Sequence, residues 1–294
     1  MINMPKILFS HLALFCANSI YAINYIFAKD VMPHYLGPSG FILLRVLGAC
    51  LVFSLIHHFF IKETIQKKDI GYLIICALFG VVINMLCFFK GLSITTPINA
   101  SLIMITTPLL VYLISCIFSK EERSFKRLFG VVLGLLGAGI LVSNGSSLRI
   151  NNMGDFLVFL NAASYALYLI LIKKMMLKYH PITVLKAIFL IGLVFITPVG
   201  WQELSLLSIH TIPIDIILKI FFVVLFTTCG AYFLNIYAIS HLRASTVAFY
   251  IYLQPLLATI LSIALGKDIL TTIKILAATC IFIGVYFVIR RQAF

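Results

Sequence analysis

Amide and hydroxyl side chains recur in stretches that are otherwise apolar, and their types suit recognition rather than covalent chemistry. Asn18, Tyr21 and Asn24 interrupt the first apolar run, Asn84 the third, and Ser101, Thr106 and Thr107 the fourth. Later in the chain come Asn161, Ser164, Tyr165 and Tyr168, then Tyr232, Asn235 and Tyr237, then Tyr250, Tyr252 and Gln254. At 100° per residue Tyr21, Asn24 and Ala28 share one helix face, as do Asn161, Tyr165 and Tyr168. Such groups would hold a neutral or zwitterionic solute with an apolar or aromatic part, by hydrogen bonds and ring contact. For each residue alone the plainer reading is an interhelical tie, worth about 0.6 kcal/mol on average inside a membrane.

The residues that enzymes use at depth are missing. No Gly-x-Ser-x-Gly, His-Glu-x-x-His or Cys-x-x-Cys occurs, and the seven cysteines all lie in apolar runs, as small packing residues do. No metal site or cofactor is expected. Asp30, Glu63, Asp69, Glu121, Glu122, Asp155, Glu203, Asp215 and Asp268 all fall in loops or at the ends of apolar runs. A proton relay through a buried carboxylate therefore has no starting point, which favours facilitated diffusion or exchange, or coupling through something other than an Asp or Glu. Arg45 is the one permanent charge within an apolar run. Snorkelling to the headgroups or a structural partner explains it cheaply, and binding a solute carboxylate explains it more sharply.

The elements that position these groups must be membrane spans. The chain is 62% hydrophobic and 11% charged, with mean hydropathy +1.13; soluble domains run at roughly 45–50% apolar and about 25% charged. With about 20 residues per crossing, ten spans follow, at approximately 7–28, 39–60, 71–90, 96–118, 127–144, 155–175, 182–200, 217–239, 244–265 and 271–290. The net charge of +13 would suggest nucleic acid in a soluble chain. Here the bases sit in the short joints, fifteen on one side and six on the other, so they read as topology signals that put both termini in the cytoplasm. The first run follows a single lysine without an Ala-x-Ala site, so it reads as a retained span rather than a signal peptide.

The chain also repeats itself. Laying Pro108 on Pro255, an offset of 147 residues, aligns Pro-Leu-Leu with Pro-Leu-Leu, Lys120-Glu121 with Lys267-Asp268, and Gly137 with Gly284. The first span matches the sixth at an offset of 144, with Tyr21-Ala22 on Tyr165-Ala166 and Lys29 on Lys173. Two sets of five spans must enter from opposite faces, because five is odd. The expected fold is an all-α polytopic membrane protein, ten transmembrane helices in two inverted five-helix repeats, residues 1–146 and 147–294. Such repeats typify secondary transporters with a midplane solute site. Pro108 and Pro255 each fall about ten residues into a span, near the bilayer centre at 1.5 Å per residue. They either serve as paired hinges for alternating access or as static packing kinks.

The stretch "FFKGLSITTPINASLIMITTPLLVYLISCIFSKEERSFKRLFGVVLGLLGAGILV" resembles the second half of an EamA domain of the drug/metabolite transporter superfamily. "GAYFLNIYAISHLRASTVAFYIYLQPLLATILSIALGKDILTTIKILAATCIFIGVYFVI" is similar to the same block again, and "SGFILLRVLGACLVF" to the family's second span, with Arg45 as its arginine. The sequence departs from the family at "SKEERS", where Gly-Glu-Arg is usual, and at Asp268, where glutamate is. The resemblance implies a carrier for small organic solutes such as amino acids, often exporting them, from a bacterial inner membrane. The expected partners are a small solute and membrane lipid, with no nucleic acid, in a monomer or homodimer. An intramembrane enzyme and a small-solute channel are the competing functions.

Overall fold

The computed structural model describes residues 4–118, 124–143, 152–207, 212–264 and 271–289. Among them, eight helices are long and apolar enough to cross a membrane, and two shorter apolar helices complete the set of ten. In the first half these are α1 (Met4–Val31), α2 (Pro38–Phe60), α3 (Lys67–Ile94), α4 (Pro97–Met104 and Thr107–Phe118) and α5 (Phe125–Ser143). The second half holds α6 (Asn152–Met176), α7 (Pro181–Ser205), α8 (Ile214–His241), α9 (Ala244–Phe249, a 3₁₀ turn at Tyr250–Tyr252, then Leu253–Ala264) and α10 (Thr272–Ile289). Large apolar side chains such as Leu51, Ile117, Phe125 and Val194 stand more than half exposed on the outside. In water that surface would aggregate; against acyl chains it is matched to its solvent.

The helix starts carry the repeat. Lys67 and Ile214, Pro97 and Ala244, Phe125 and Thr272 open their helices 147 residues apart in each case. Pro38 and Pro181, which open α2 and α7, are only 143 apart. The difference arises in α7, which has 25 residues against 23 in α2, and in its connection to α8, residues 206–213 against 61–66. The aligned Lys120-Glu121 and Lys267-Asp268 pairs lie outside the described residues.

The halves are related by a twofold operation that reverses direction. At the crossing of α5 with α10, a Cβ at Gly130 would lie 2.8 Å from the Gly284 carbonyl oxygen, and one at Gly284 would lie 2.6 Å from that of Gly130. A Cβ at Gly137 would lie 2.6 Å from the Ala277 carbonyl. Gly130 maps to Ala277 and Gly137 to Gly284 at the 147-residue offset, so one contact is the image of the other. Exchange of partners in this way is the mark of a twofold axis. Residue numbers rise along α5 as they fall along α10, so the mates are antiparallel, as inverted repeats require. The glycines are needed because the two backbones nearly touch.

The same exchange runs through the interior. α1 packs on α8 and α9 of the other half, while α6 packs on α3 and α4 of the first. The proline bends expected from sequence are interruptions of the helix. In α4 the break falls at Ile105–Thr106, and in α9 at Tyr250–Tyr252, which lies 147 residues from 103–105. Proline 108 has no N–H to give to Met104, and proline 255 none to give to Ile251. Both prolines are buried.

The third helix of each half carries a second irregularity that sequence patterning did not suggest. α3 widens to a π-helical turn at Leu78–Val82, and α8 does so at Val223–Ala231, which brackets the image of the first segment. π-Turns leave backbone groups free to bond outside their own helix and occur frequently at functional sites.

The tight crossing yields a stability prediction. Gly284→Val forces α5 and α10 apart and lowers the apparent melting temperature and the yield of folded protein in detergent. Gly71→Ala, which meets nothing within 4 Å, leaves both unchanged. Equal behaviour of the two variants would contradict the packing described.

Candidate functional site

Between the halves lies a cavity enclosing about 680 Å³ of empty space, open solvent at its mouth included. Nine of the polar residues named from sequence line it: Asn18, Tyr21, Asn24, Asn84, Asn161, Tyr165, Tyr232, Asn235 and Gln254. They come from α1, α3, α6, α8 and α9, and Arg45 of α2 joins them. Met104 and Ile251, each four residues before one of the two prolines, also line it, one from each half.

Much of this wall is cross-braced. Gln254 Nε2 donates to Asn18 Oδ1 at 2.8 Å, and Asn18 Nδ2 donates to the Leu14 carbonyl at 2.8 Å. Asn235 Nδ2 donates to the Ala231 carbonyl at 2.8 Å and to the Tyr21 hydroxyl at 3.3 Å. Tyr232 donates its hydroxyl toward the Gly80 carbonyl at 3.1 Å and Asn84 Oδ1 at 3.3 Å. Asn161 Nδ2 donates to the Asn84 backbone carbonyl at 2.8 Å. The exposed π-turn carbonyl of Gly80 is thus absorbed by the other half. These ties fix the amides and set the shape of the chamber.

Four buried polar atoms in the wall have no partner: Asn24 Oδ1, Asn161 Oδ1, Arg45 Nη1 and Thr227 Oγ1. An unpaired buried polar group costs about 1–3 kcal/mol, a cost that water or a solute in the cavity would relieve. Two are carbonyl acceptors, one is a cationic donor, and the hydroxyl can act either way. Apolar surface completes the wall through Met85, Phe88, Phe89 and Val247.

Arg45 does not snorkel. It is 2% exposed, donates Nε to Thr228 Oγ1 at 2.8 Å, and stacks its guanidinium 4.2 Å from the centre of the Phe89 ring. The expectation of a headgroup contact is corrected by the fold. α2 is packed along α7, and Arg45 faces the π-turn of α8, which supplies Thr228.

Eight of the polar residues named from sequence stand outside the cavity wall: Ser101, Thr106, Thr107, Ser164, Tyr168, Tyr237, Tyr250 and Tyr252. Tyr168 is 2% exposed and fills the notch at Gly80, where a Cβ would lie 2.2 Å from its ring. Three residues on from Tyr165, it points into the α3 π-turn rather than the chamber. Ser164 donates to the Phe79 carbonyl of that turn at 2.6 Å. Tyr252 donates to the Val131 carbonyl at 3.1 Å, packed over Gly134 of α5. Thr107 is fully buried, and Ser101 half-buried, in α4. Sequence reasoning missed Tyr25 and Thr227, together with the apolar lining. The Thr227-Thr228 pair gave the available signal, two hydroxyls in the middle of an apolar run.

The six described acids all have partners, five at helix ends and Glu63 in the connection between α2 and α3. Asp30 pairs with Lys219 at 2.7 Å and Asp69 with Lys178 at 2.8 Å. Asp155 accepts from Thr95 at 2.6 Å, Glu203 from the Gly40 N–H at 2.8 Å and Glu63 from the His180 N–H at 2.8 Å. Asp215 lies 3.6 Å from Lys219. Glu121, Glu122 and Asp268 lie outside the described residues. Among the described residues no carboxylate lines the cavity.

This division of labour separates two kinds of substitution. Tyr252→Phe removes a structural tie and lowers stability by about 1 kcal/mol without changing solute affinity. Asn24→Ala removes an atom with no protein partner, costs little stability and weakens solute binding. Thermal melts with and without solute check both, and the reverse pattern would contradict the assignment.

Comparison with known proteins agrees with the architecture. The model of the EamA-like transporter family matches residues 8–143 and again 152–290. The chain is 27% identical over 230 residues to the uncharacterized transporter YyaM of Bacillus subtilis, covering 76% of this chain and 74% of that protein. It is 28% identical over 265 residues to an uncharacterized transporter of Archaeoglobus fulgidus, covering 85% and 87%. A solved crystal structure at 16% identity superposes with a TM-score of 0.76 over 97% of this chain and 96% of that one, a likeness of fold. Two matched repeats, spanning nearly all of ten membrane helices, make this chain a member of the EamA-like transporter family and a multi-pass membrane transporter.

Proposed function

We propose that the chain is a secondary carrier that moves a small organic metabolite by alternating access around the cavity between its halves. The observation that carries this reading is the symmetry of the cavity. Its walls come from both halves, and a proline-broken helix enters it from each, at Met104 and at Ile251. A site at the interface of inverted repeats can open to either face as one half rocks against the other. Residues 1–146 and 147–294 are the rocking units, with Pro108 and Pro255 as hinges.

Asn18, Tyr21, Asn24, Asn84, Asn161, Tyr165, Tyr232, Asn235 and Gln254 form the solute-binding wall. Both ends carry polar ties that rocking must break and remake. At one end Asp30 of the first half pairs with Lys219 of the second at 2.7 Å. At the other, Asp69 accepts from Lys178 and Tyr179, both at 2.8 Å. The charge pattern of the joints assigns the second end to the cytoplasm, along with both termini, in a bacterial inner membrane. Transport is export or exchange, carried out by a monomer or homodimer in lipid, without a cofactor. A carrier is preferred to an intramembrane enzyme because the cavity wall offers amides, phenols and one guanidinium but no nucleophile–base pair.

Radiolabelled counterflow in proteoliposomes against a metabolite panel tests the reading. A carrier gives saturable uptake accelerated by unlabelled solute inside. Linear, unsaturable flux would instead indicate a channel, and chemical conversion an enzyme. Met104→Trp, which fills the chamber without touching the cross-braces, abolishes flux while the protein still folds and melts cooperatively. Undiminished flux in that variant would place the pathway elsewhere.

A further inference from the structure

The most unusual group in the cavity is a buried cation without an anion. Arg45 sits within α2, 2% exposed, with Nε bound to a neutral hydroxyl, its π-face on Phe89, and Nη1 buried and unpartnered. Every described acid is engaged with a partner, and none lines the chamber. Guanidinium cannot shed its proton inside a protein, so this charge persists in the empty site. A buried charge without a counter-ion is strongly unfavourable, and among the described residues no carboxylate stands in the chamber beside it.

We propose that Arg45 anchors the carboxylate of a singly charged solute, and that this solute neutralises the site when it binds. The inference rests on the carrier reading and adds the substrate class to it. One guanidinium matches one monoanionic carboxylate, whereas a dianionic phosphate would leave the chamber negative. The unpartnered Asn24 Oδ1 and Asn161 Oδ1 in the same wall call for N–H or O–H donors elsewhere on that solute. Phe88 and Phe89 offer its apolar part a flat surface.

A kinetic consequence follows. While the cavity is closed to both faces, the loaded site is neutral and the empty site holds an uncompensated cation. Occlusion of the empty carrier is therefore the slower step, and the protein works as an exchanger, returning with a second carboxylate rather than empty.

The test compares acids with their amides. Detergent-purified protein is melted with 3-phenylpropionate or 3-phenylpropanamide, and with N-acetyl-L-phenylalanine or N-acetyl-L-phenylalaninamide, each acid a monoanion and each amide neutral. The acids raise the apparent melting temperature and the amides do not, because only the former bind the folded site. Arg45→Gln abolishes the difference and weakens acid binding roughly tenfold to a hundredfold, the expected loss of a charge-assisted hydrogen bond. Amides that stabilise as well as acids would overturn the proposal, as would Arg45→Gln retaining the acid-specific shift, or no shift with either acid. Should Arg45→Gln not fold, Thr228→Val frees Nε while keeping the charge. It lowers acid affinity several-fold and leaves the amides without effect, and unchanged acid affinity would equally overturn the proposal. Counterflow separates the two levels of inference. Saturable exchange that is indifferent to Arg45 sinks the anchor and leaves the carrier, whereas saturable uptake from liposomes with no internal solute, as fast as from loaded ones, sinks obligatory exchange alone.

Discussion

Hydrocarbon offers no hydrogen-bond partner, and the architecture of this protein follows from that fact. Each polar group carried into the bilayer must be met by another part of the chain, by water in a cavity, or by a bound solute. The π-turns and proline breaks place spare carbonyls at mid-membrane depth, which would be costly on the lipid face. The carbonyls of the α3 π-turn are met from the other half, Phe79 by Ser164 and Gly80 by Tyr232. In α3 irregular backbone and inter-half contact are thus one feature, whereas α8 meets its own π-turn, Val223 by Thr228 and Ala231 by Asn235.

The same rule distinguishes structural polar groups from receptive ones. Ser164, Tyr252 and Gln254 all look alike in sequence as polar residues in apolar runs, and all are tied to protein partners. Asn24, Asn161, Thr227 and Arg45 present at least one buried atom that the fold leaves unmet. The cross-braces keep the chamber from collapsing around those unmet atoms, so the two kinds depend on each other.

What the sequence disclosed was whatever repeats along one dimension. Apolar runs of bilayer length gave the ten spans, and Pro108 with Pro255 gave the offset that the helix starts at Lys67 and Ile214 reproduce. Nine of the seventeen polar residues named in apolar runs reach the cavity because polar residues in the middle of a span have few other places to go. The failures were three-dimensional. Tyr168 shares a helix face with Tyr165 on a regular 100° wheel, but the notch at Gly80 on a neighbouring helix captures it. The π-turns have no single-residue signature like that of proline, so Thr227 went unnoticed. Arg45, near a span end by count, looked able to reach water, and only the packing of α2 against α7 and α8 shows that it cannot. The Lys-acid pairs aligned in the repeat lie outside the described residues.

The account stands on a chamber that is open to opposite faces in turn. Its sharpest test is a single cysteine replacing Asn161 in a variant stripped of the seven native cysteines, labelled with a membrane-impermeant thiol reagent from each side of an oriented membrane. Alternating access predicts labelling from both faces, with a transported solute slowing one rate and speeding the other. Labelling from one face only under all conditions, or two rates that rise and fall together, would contradict it.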